Sequence, residues 1–291
     1  MDRLLESVLF VAGLVFGSFL NVCISRIPRD ESVISPPSHC EACGALLGWH
    51  DNIPLVSWVA LRGRCRHCDA RISARYPAVE LLTALLFTAC YLSFGWTLLT
   101  LKFCVFGFLL IGLIFMDAET GLLPREFTYS GIVLGLVFSW IGPTDYAATA
   151  LLLRIYDKQL QNAHWLSLLD SGLGGLVGAG FFYLAWALYY VVRKKHGLGF
   201  GDIALMAMAG AFLGVKLILL VIFCAPLLGL VYACILLVRE IFASKAKPDT
   251  REQDQGPFLS REIPFGVFLG VCSLAAIFLG QTVWNWYLRK I

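Results

Sequence analysis

Two carboxylates and four cysteines are the side chains whose types and spacing point to chemistry. The stretch GLGFGD (197–202) follows the basic run Arg193-Lys194-Lys195 and places three glycines and Asp202 where an apolar run begins. Asp117 closes another apolar run and is followed by Gly121 and Pro124. Glycine lets a second backbone approach closely, so both aspartates stand in irregular settings. Either one alone has a plain reading as a helix-end residue. Asp202 in particular would serve as an N-cap or first-turn acid favoured by the helix dipole. Two carboxylates that meet in a partly dry place behave differently. They cannot both ionise easily, so one keeps a proton and the other does not. The charged one can activate water as a base while the protonated one polarises a peptide carbonyl. That is amide hydrolysis by a carboxyl pair, without a metal.

The cysteines form a second pattern. Cys40-x2-Cys43 and, twenty-one residues later, Cys65-x2-Cys68 have zinc-ribbon spacing. A CxxC turn lets two thiolates reach one ion, and two turns complete a tetrahedron. Disulfides are the competing reading, disfavoured if the loop is cytoplasmic. Four thiolates would leave zinc no open position, so the metal is expected to be structural. His39 and His67 flank the cysteines as possible substitutes. Cys23, Cys90, Cys104, Cys224, Cys234 and Cys272 lie in apolar runs and read as small packing residues. Trp49, Ile53, Leu55, Val56, Trp58 and Leu61 are all the loop has for a core, so a metal would supply much of its folding energy.

The elements that must position these residues are membrane helices. The chain has 291 residues, 58% of them hydrophobic and 15% charged. Its mean hydropathy is +0.75. Its apolar residues come in runs of bilayer length. Eight runs are expected to span: 5–24, 79–94, 97–116, 127–141, 172–192, 203–215, 217–238 and 265–286. The fold class is therefore all-α and polytopic, with about eight transmembrane helices and a small zinc-binding loop domain. No small-residue cleavage site follows the first run, so it is read as a retained helix. The net charge of +3 gives no sign of a nucleic-acid partner. Its distribution says more. Placing 25–78 in the cytoplasm puts 16 of the 23 Lys and Arg residues inside, among them Arg62, Arg64, Arg66, Arg71 and Arg75. The positive-inside rule then sets both termini outside and brings Asp117 and Asp202 to one face. The run 203–215 is short, about 20 Å as a helix, which draws Asp202 below that face if Lys216 marks the other. Glu80, Asp117, Asp202 and Glu240 are the acids expected at run ends, and carboxylates at membrane depth are functional hypotheses by default. Outside the membrane, 142–171 includes a stretch (147–169) that could lie on the membrane surface, and 244–262 reads as a flexible linker. The expected domains are 1–24 as a first helix, 25–78 as a cytoplasmic four-cysteine zinc-binding domain, and 79–291 as the helical core.

These features together resemble the type IV prepilin peptidases, bacterial inner-membrane aspartyl proteases of the GxGD kind. The matching motifs are GSFLNVCISRIP (17–28), the cysteine loop with DNIPLVSWVALRGRCRHC and ISARYPAVELLTALL, GFGD with LMAMAGAFLG, and IPFGVFLG (263–270). They occur in order over nearly the whole chain. The resemblance implies Asp117 and Asp202 as the catalytic pair, with Gly199, Gly201, Pro124, Pro264 and Gly266 as structural motif residues. It implies cleavage of a short basic leader from prepilins or pseudopilins on the cytoplasmic side, and methylation of the new N-terminus from S-adenosylmethionine. The cysteine loop points to the bifunctional branch. Two positions depart from the family pattern: Arg125 follows Pro124 in place of aspartate, and Ala204 stands in place of lysine. No nucleotide-binding loop is recognisable, so the methyl-donor site has no location in the sequence. Asn21 and Glu80 are candidates for substrate or cofactor contacts, or for interhelical hydrogen bonds. The other readings are a peptidase without methyl transfer, and a transporter or scaffold with a zinc-ribbon handle. Charged residues are absent from mid-run apart from Lys102 near one end, which argues against an ion path.

Overall fold

A backbone in hydrocarbon must satisfy its own N–H and C=O groups, which leaves helices as the simple solution. The computed structural model describes residues 2–143, 162–194, 199–246 and 264–290. Its long elements are all helical: α1 (Asp2–Arg26), the short α2 (Val56–Ala60), α3 (Arg75–Phe94), α4 (Leu98–Thr120), α5 (Arg125–Ile141), α6 (Ala163–Arg193), α7 (Phe200–Ala246) and α8 (Phe265–Leu288). Six of them are long and apolar enough to cross a membrane. The chain is thus a polytopic helical membrane protein. Helix α5, at 17 residues, is about 26 Å long and falls just short of the hydrocarbon core's ~30 Å.

Helix α7 holds two of the expected runs, which meet at Gly214 with non-helical φ 74° and ψ 176°. A straight helix would separate Met206 from Ile218 by about 18 Å. Both instead lie against Gly178 of α6, so the chain doubles back at Gly214. Glycines make this packing possible. A Cβ on Gly210 would stand 2.1 Å from the Gly174 carbonyl oxygen, and one on Gly178 would stand 2.5 Å from that of Met206. Close backbone approach of this kind is how helices associate where lipid removes the hydrophobic drive. The same device joins α1 to α3, where a Cβ on Gly13 would meet the Ala84 Cα at 2.5 Å. Helix α8 packs against both α4 and α7.

Three expectations change. Residues 163–171 are helical, and Asp170 is buried within α6. It is an intramembrane acid that polar neighbours had made look like loop. Most of the surface stretch (147–169) and of the linker 244–262 lie outside the described residues. The apolar residues of the cysteine loop do not form a buried core: Trp49 is 81% and Val56 60% exposed. Hydrogen bonds, such as Trp58 Nε1 donating to the Ile72 carbonyl at 3.3 Å, and the cysteine turns give that loop its shape. Cys23, Cys90, Cys104 and Cys272 are buried packing residues as expected, whereas Cys234 is exposed on its helix surface.

Asp170 explains the reversal. Its Oδ2 accepts the Val215 N–H at 3.3 Å, capping the second arm of α7. A Cβ on Gly214 would lie 2.0 Å from that oxygen. Lys102 of α4 is 2% exposed, interacts electrostatically with Asp170 and donates to Ser139 Oγ of α5 at 3.3 Å. Removing one member of a buried pair strands the other charge, at a cost of about 3–5 kcal/mol. Lys102→Met and Asp170→Asn are each expected to lower folded yield and melting temperature in detergent. The double variant is expected to recover much of the loss. Single variants as stable as the parent would show that the pair does not hold the reversal.

Candidate active site

Helix α4 ends because Gly121 adopts φ 66° and returns its N–H to the Asp117 carbonyl at 2.9 Å. Asp117 therefore sits in the last turn, only 6% exposed. Its carboxylate does not turn to solvent. Oδ2 accepts the backbone N–H of Val267 at 2.9 Å, in the first turn of α8. First-turn N–H groups have no partner in their own helix, and the positive end of the helix dipole favours an anion there. Pro264 precedes this turn as its cap. A Cβ on Gly266 would lie 2.8 Å from Asp117 Oδ2, so the glycine leaves the carboxylate its seat.

Asp202 lies in the first turn of α7 and is 8% exposed. Its N–H reaches the Gly199 carbonyl at 3.2 Å. Its carboxylate is close enough to that of Asp117 for the two charges to interact. The structure thus brings together the two aspartates singled out in the sequence, on separate helices and both buried. Leu123 fills the space between the two motifs. A Cβ on Gly201 would meet its Cβ at 2.8 Å, and one on Gly266 would meet its Cδ1 at 3.0 Å. Gly199 has no comparable crowding, and Gly197 lies outside the described residues. Neither Leu123 nor the Val267 N–H stood out in the sequence: the first is one leucine among many, the second a backbone group. The glycine of IPFG was the only trace of the second. Arg125 is exposed where α5 begins, and Ala204 is half-buried one position past Ile203.

Asn21 and Glu80 are buried and tie elements together. Asn21 Nδ2 donates to the Tyr76 carbonyl at 3.0 Å, and Glu80 Oε2 accepts the Leu55 N–H at 2.8 Å. Asn21 Oδ1 has no hydrogen bond within the described residues.

The four loop cysteines converge. All four Sγ atoms lie within 4.8 Å of one another, and those of Cys40 and Cys68 are 3.9 Å apart. A tetrahedral ion with metal–sulfur bonds of ~2.3 Å has sulfur–sulfur edges of about 3.8 Å. The two turns are built alike. Cys40 N–H reaches the Ala45 carbonyl and Cys65 N–H that of Ala70, both at 2.9 Å. The residue after each second cysteine, Gly44 or Asp69, has positive φ. Backbone N–H groups of Cys43 and Ala42 hold the Cys40 thiol down to about 7, whereas at Cys68 the Ala70 N–H is outweighed by hydrogen bonds with the neighbouring thiols, which push its thiol up to about 12. His39 is turned to the Pro37 carbonyl, at 3.1 Å. Burial pushes the Asp51 carboxyl up, but Arg66 (2.8 Å), His50 and the Gly48 N–H outweigh it and hold it below the ordinary range.

Comparison with known proteins agrees with this layout. Residues 11–94 match the bacterial peptidase A24 N-terminal domain, which covers the second half of α1, the cysteine loop and α3. Residues 104–234 match the type IV leader peptidase family, which covers both aspartates. The prepilin leader peptidase/N-methyltransferase of Myxococcus xanthus is 38% identical over 85% of this chain and 68% of its own. The proteins of the same name from Aeromonas hydrophila and Neisseria gonorrhoeae are each 32% identical, over 98% and 96% of this chain and 94% and 93% of theirs. No solved structure matches it. With matches in both halves of the chain and over more than nine-tenths of the Aeromonas and Neisseria proteins, the chain belongs to the type IV leader peptidase family.

Proposed function

We propose that this protein is a prepilin peptidase and N-methyltransferase that works at the cytoplasmic face of a bacterial inner membrane. The observation that carries the peptidase reading is the meeting of Asp117 and Asp202, buried on two helices whose ends are cleared by Gly201 and Gly266. The ionised carboxylate takes a proton from water as the oxygen attacks the scissile carbonyl carbon. The protonated partner gives its proton to the carbonyl oxygen. Collapse of the tetrahedral intermediate breaks the C–N bond, and a carboxyl proton leaves with the new amine. The Val267 N–H fixes which way Asp117 points. The substrates are leader-bearing prepilins or type II secretion pseudopilins. The new N-terminus receives a methyl group from S-adenosylmethionine.

The arginines of 25–78 and the basic residues of the other inward loops support a cytoplasmic site with both termini outside. On this reading the chain is organised as a first helix (1–24), a zinc domain (25–78) and a helical peptidase core (79–291). Cys40, Cys43, Cys65 and Cys68 hold a zinc ion. It supplies folding energy to a loop that lacks a core, and its four thiolates leave it no open position for catalysis.

The function is tested by weighing the product of purified protein and a prepilin. Without methyl donor the product should be the mature pilin; with it, the same species heavier by one methyl group. Uncut prepilin in both reactions would contradict the reading, and cutting without methylation would leave a peptidase alone. Asp117→Asn and Asp202→Asn should each slow cleavage by at least about a hundredfold while still methylating a synthetic peptide that begins at the mature N-terminus. Substantial cleavage by either folded variant would refute the two-carboxylate mechanism.

Elemental analysis checks the metal. Protein purified without chelators should carry about one zinc per chain. Cys40→Ser with Cys65→Ser should lose it and expose the loop to protease. A metal-free parent protein with a protease-resistant loop would overturn the zinc assignment.

A further inference from the structure

Beside the end of α4, a cleft of about 260 Å³ opens between four parts of the chain. Ser25 comes from the last turn of α1, Arg29 from the short helical turn that follows it, and Glu41 from the first cysteine turn. Arg75 and Tyr76 start α3, and Glu119 lies two residues beyond Asp117. Two guanidinium groups and two carboxylates line this small volume, with an aromatic ring beside them. Arg75 organises it. Its Nη1 pairs with Glu119 Oε2 at 2.5 Å and its Nη2 donates to Ser25 Oγ at 2.8 Å. The guanidinium lies over the Tyr76 ring, 4.7 Å from its centre. Its Nε–H is buried and has no hydrogen bond within the described residues. One helical turn before Ser25, Asn21 carries the unpartnered Oδ1. Buried polar atoms without partners are rare and call for a reason; Arg75 lines the cleft itself, whereas Asn21 lies behind its lining.

We propose that this cleft binds the amino-acid and sulfonium end of the methyl donor, an inference that rests on the methyl-transfer reading above. The ligand class follows from the lining. A carboxylate would be met by the guanidinium groups of Arg75 and Arg29, which both line the cleft, in charge-assisted hydrogen bonds. The α-ammonium group would be met by Glu41 or Glu119. A sulfonium cation is favoured near an aromatic face and a carboxylate. The volume suits that end of the molecule and leaves the nucleoside outward. The donor supplies an electrophilic methyl group. The unprotonated N-terminal amine forms the N–C bond as the S–C bond breaks, sulfur keeps the electron pair as a neutral thioether, and the methylated ammonium loses a proton to water. Glu119 follows Asp117 by two residues, so the cleft and the aspartate pair stand at the same end of α4 but on opposite sides of it, and a freshly cut N-terminus passes round that helix end. Because Glu41 belongs to the first cysteine turn, the metal domain supplies one wall of the cleft. It thereby serves methylation without taking part in cleavage.

Equilibrium binding of labelled S-adenosylmethionine to the full-length protein in detergent tests this. The parent should bind, and Arg75→Gln, Glu119→Gln and Glu41→Gln should each weaken binding by about tenfold or more, with zinc content unchanged. Arg75 has structural partners, so Arg29→Gln and Glu41→Gln, at exposed positions, keep the test open if Arg75→Gln does not fold. Donor binding as tight in the folded variants as in the parent overturns the proposal. So does unchanged donor binding with a raised KM for the pre-cut peptide, which would make the cleft a peptide site. A parent that binds no donor overturns the methyl-transfer reading itself, and the cleft assignment with it.

Discussion

The structure depends on a carboxylate seated at the start of a helix 150 residues further along the chain. Asp117 closes α4, and its Oδ2 takes the Val267 N–H at the start of α8. This contact satisfies an orphan donor that lipid could not. It also keeps a buried carboxylate from being stranded and fixes α8 against α4. The other elements of the site follow from it. Gly266 lacks a side chain because the carboxylate occupies that space, and Leu123 can then wedge between Gly266 and Gly201. That wedge brings the start of α7, and with it Asp202, to the same spot. Helix α4 is anchored at its other end too, by Lys102 with Asp170 and Ser139, about 22 Å away along the axis. Polar contacts at both ends of one helix hold what hydrophobicity cannot hold in a bilayer.

Much of this could be read from the sequence, and the failures share a cause. Hydropathy located the helices because bilayer thickness sets their length. Asp117 and Asp202 stood out because acids are scarce in such runs, and the cysteines because their spacing fits one ion. Asp170 was missed because Ser167, Ser171 and nearby glycines lowered the local hydropathy. Those residues are polar or small in order to face another helix rather than water. The reversal at Gly214 was legible only as a gap between two runs; its cap, Asp170, comes from a distant segment. In a membrane chain, apolar residues face both lipid and protein: Val8 and Val15 are more than half exposed while Leu20 and Ile24 are fully covered. Periodicity therefore does not reveal which helices pair. The seat of Asp117 on α8 is a backbone contact and left only a glycine as its trace.

The cysteine loop is held together differently. Its tryptophans and aliphatic residues lie largely on its surface, so it has little apolar burial to offset its chain entropy. Two matched turns, one buried carboxylate on Arg66, and four converging thiols define its shape instead. Its exposed apolar side chains, Trp49, Val56 and Val59 among them, face outward from a domain that sits beside the membrane helices. A small loop shaped by such turns can be joined to a helical core without altering the core's own contacts. The loop reaches the end of α4 at Glu119, whereas among the described residues the contacts of the two aspartates come from the helical core.

The central claim is that Asp117 and Asp202 act as one acid–base unit, and the pH dependence of cleavage by the unmodified protein tests it most directly. Two interacting carboxyls lose their protons in two steps that belong to the pair, and only the singly protonated pair is competent. The rate of leader cleavage at saturating substrate, followed from acid to alkaline pH with the fold monitored in parallel, should rise and then fall across the range in which the protein stays folded. A rate that climbs to a plateau and stays there would mean that one ionised group suffices, and would contradict the account.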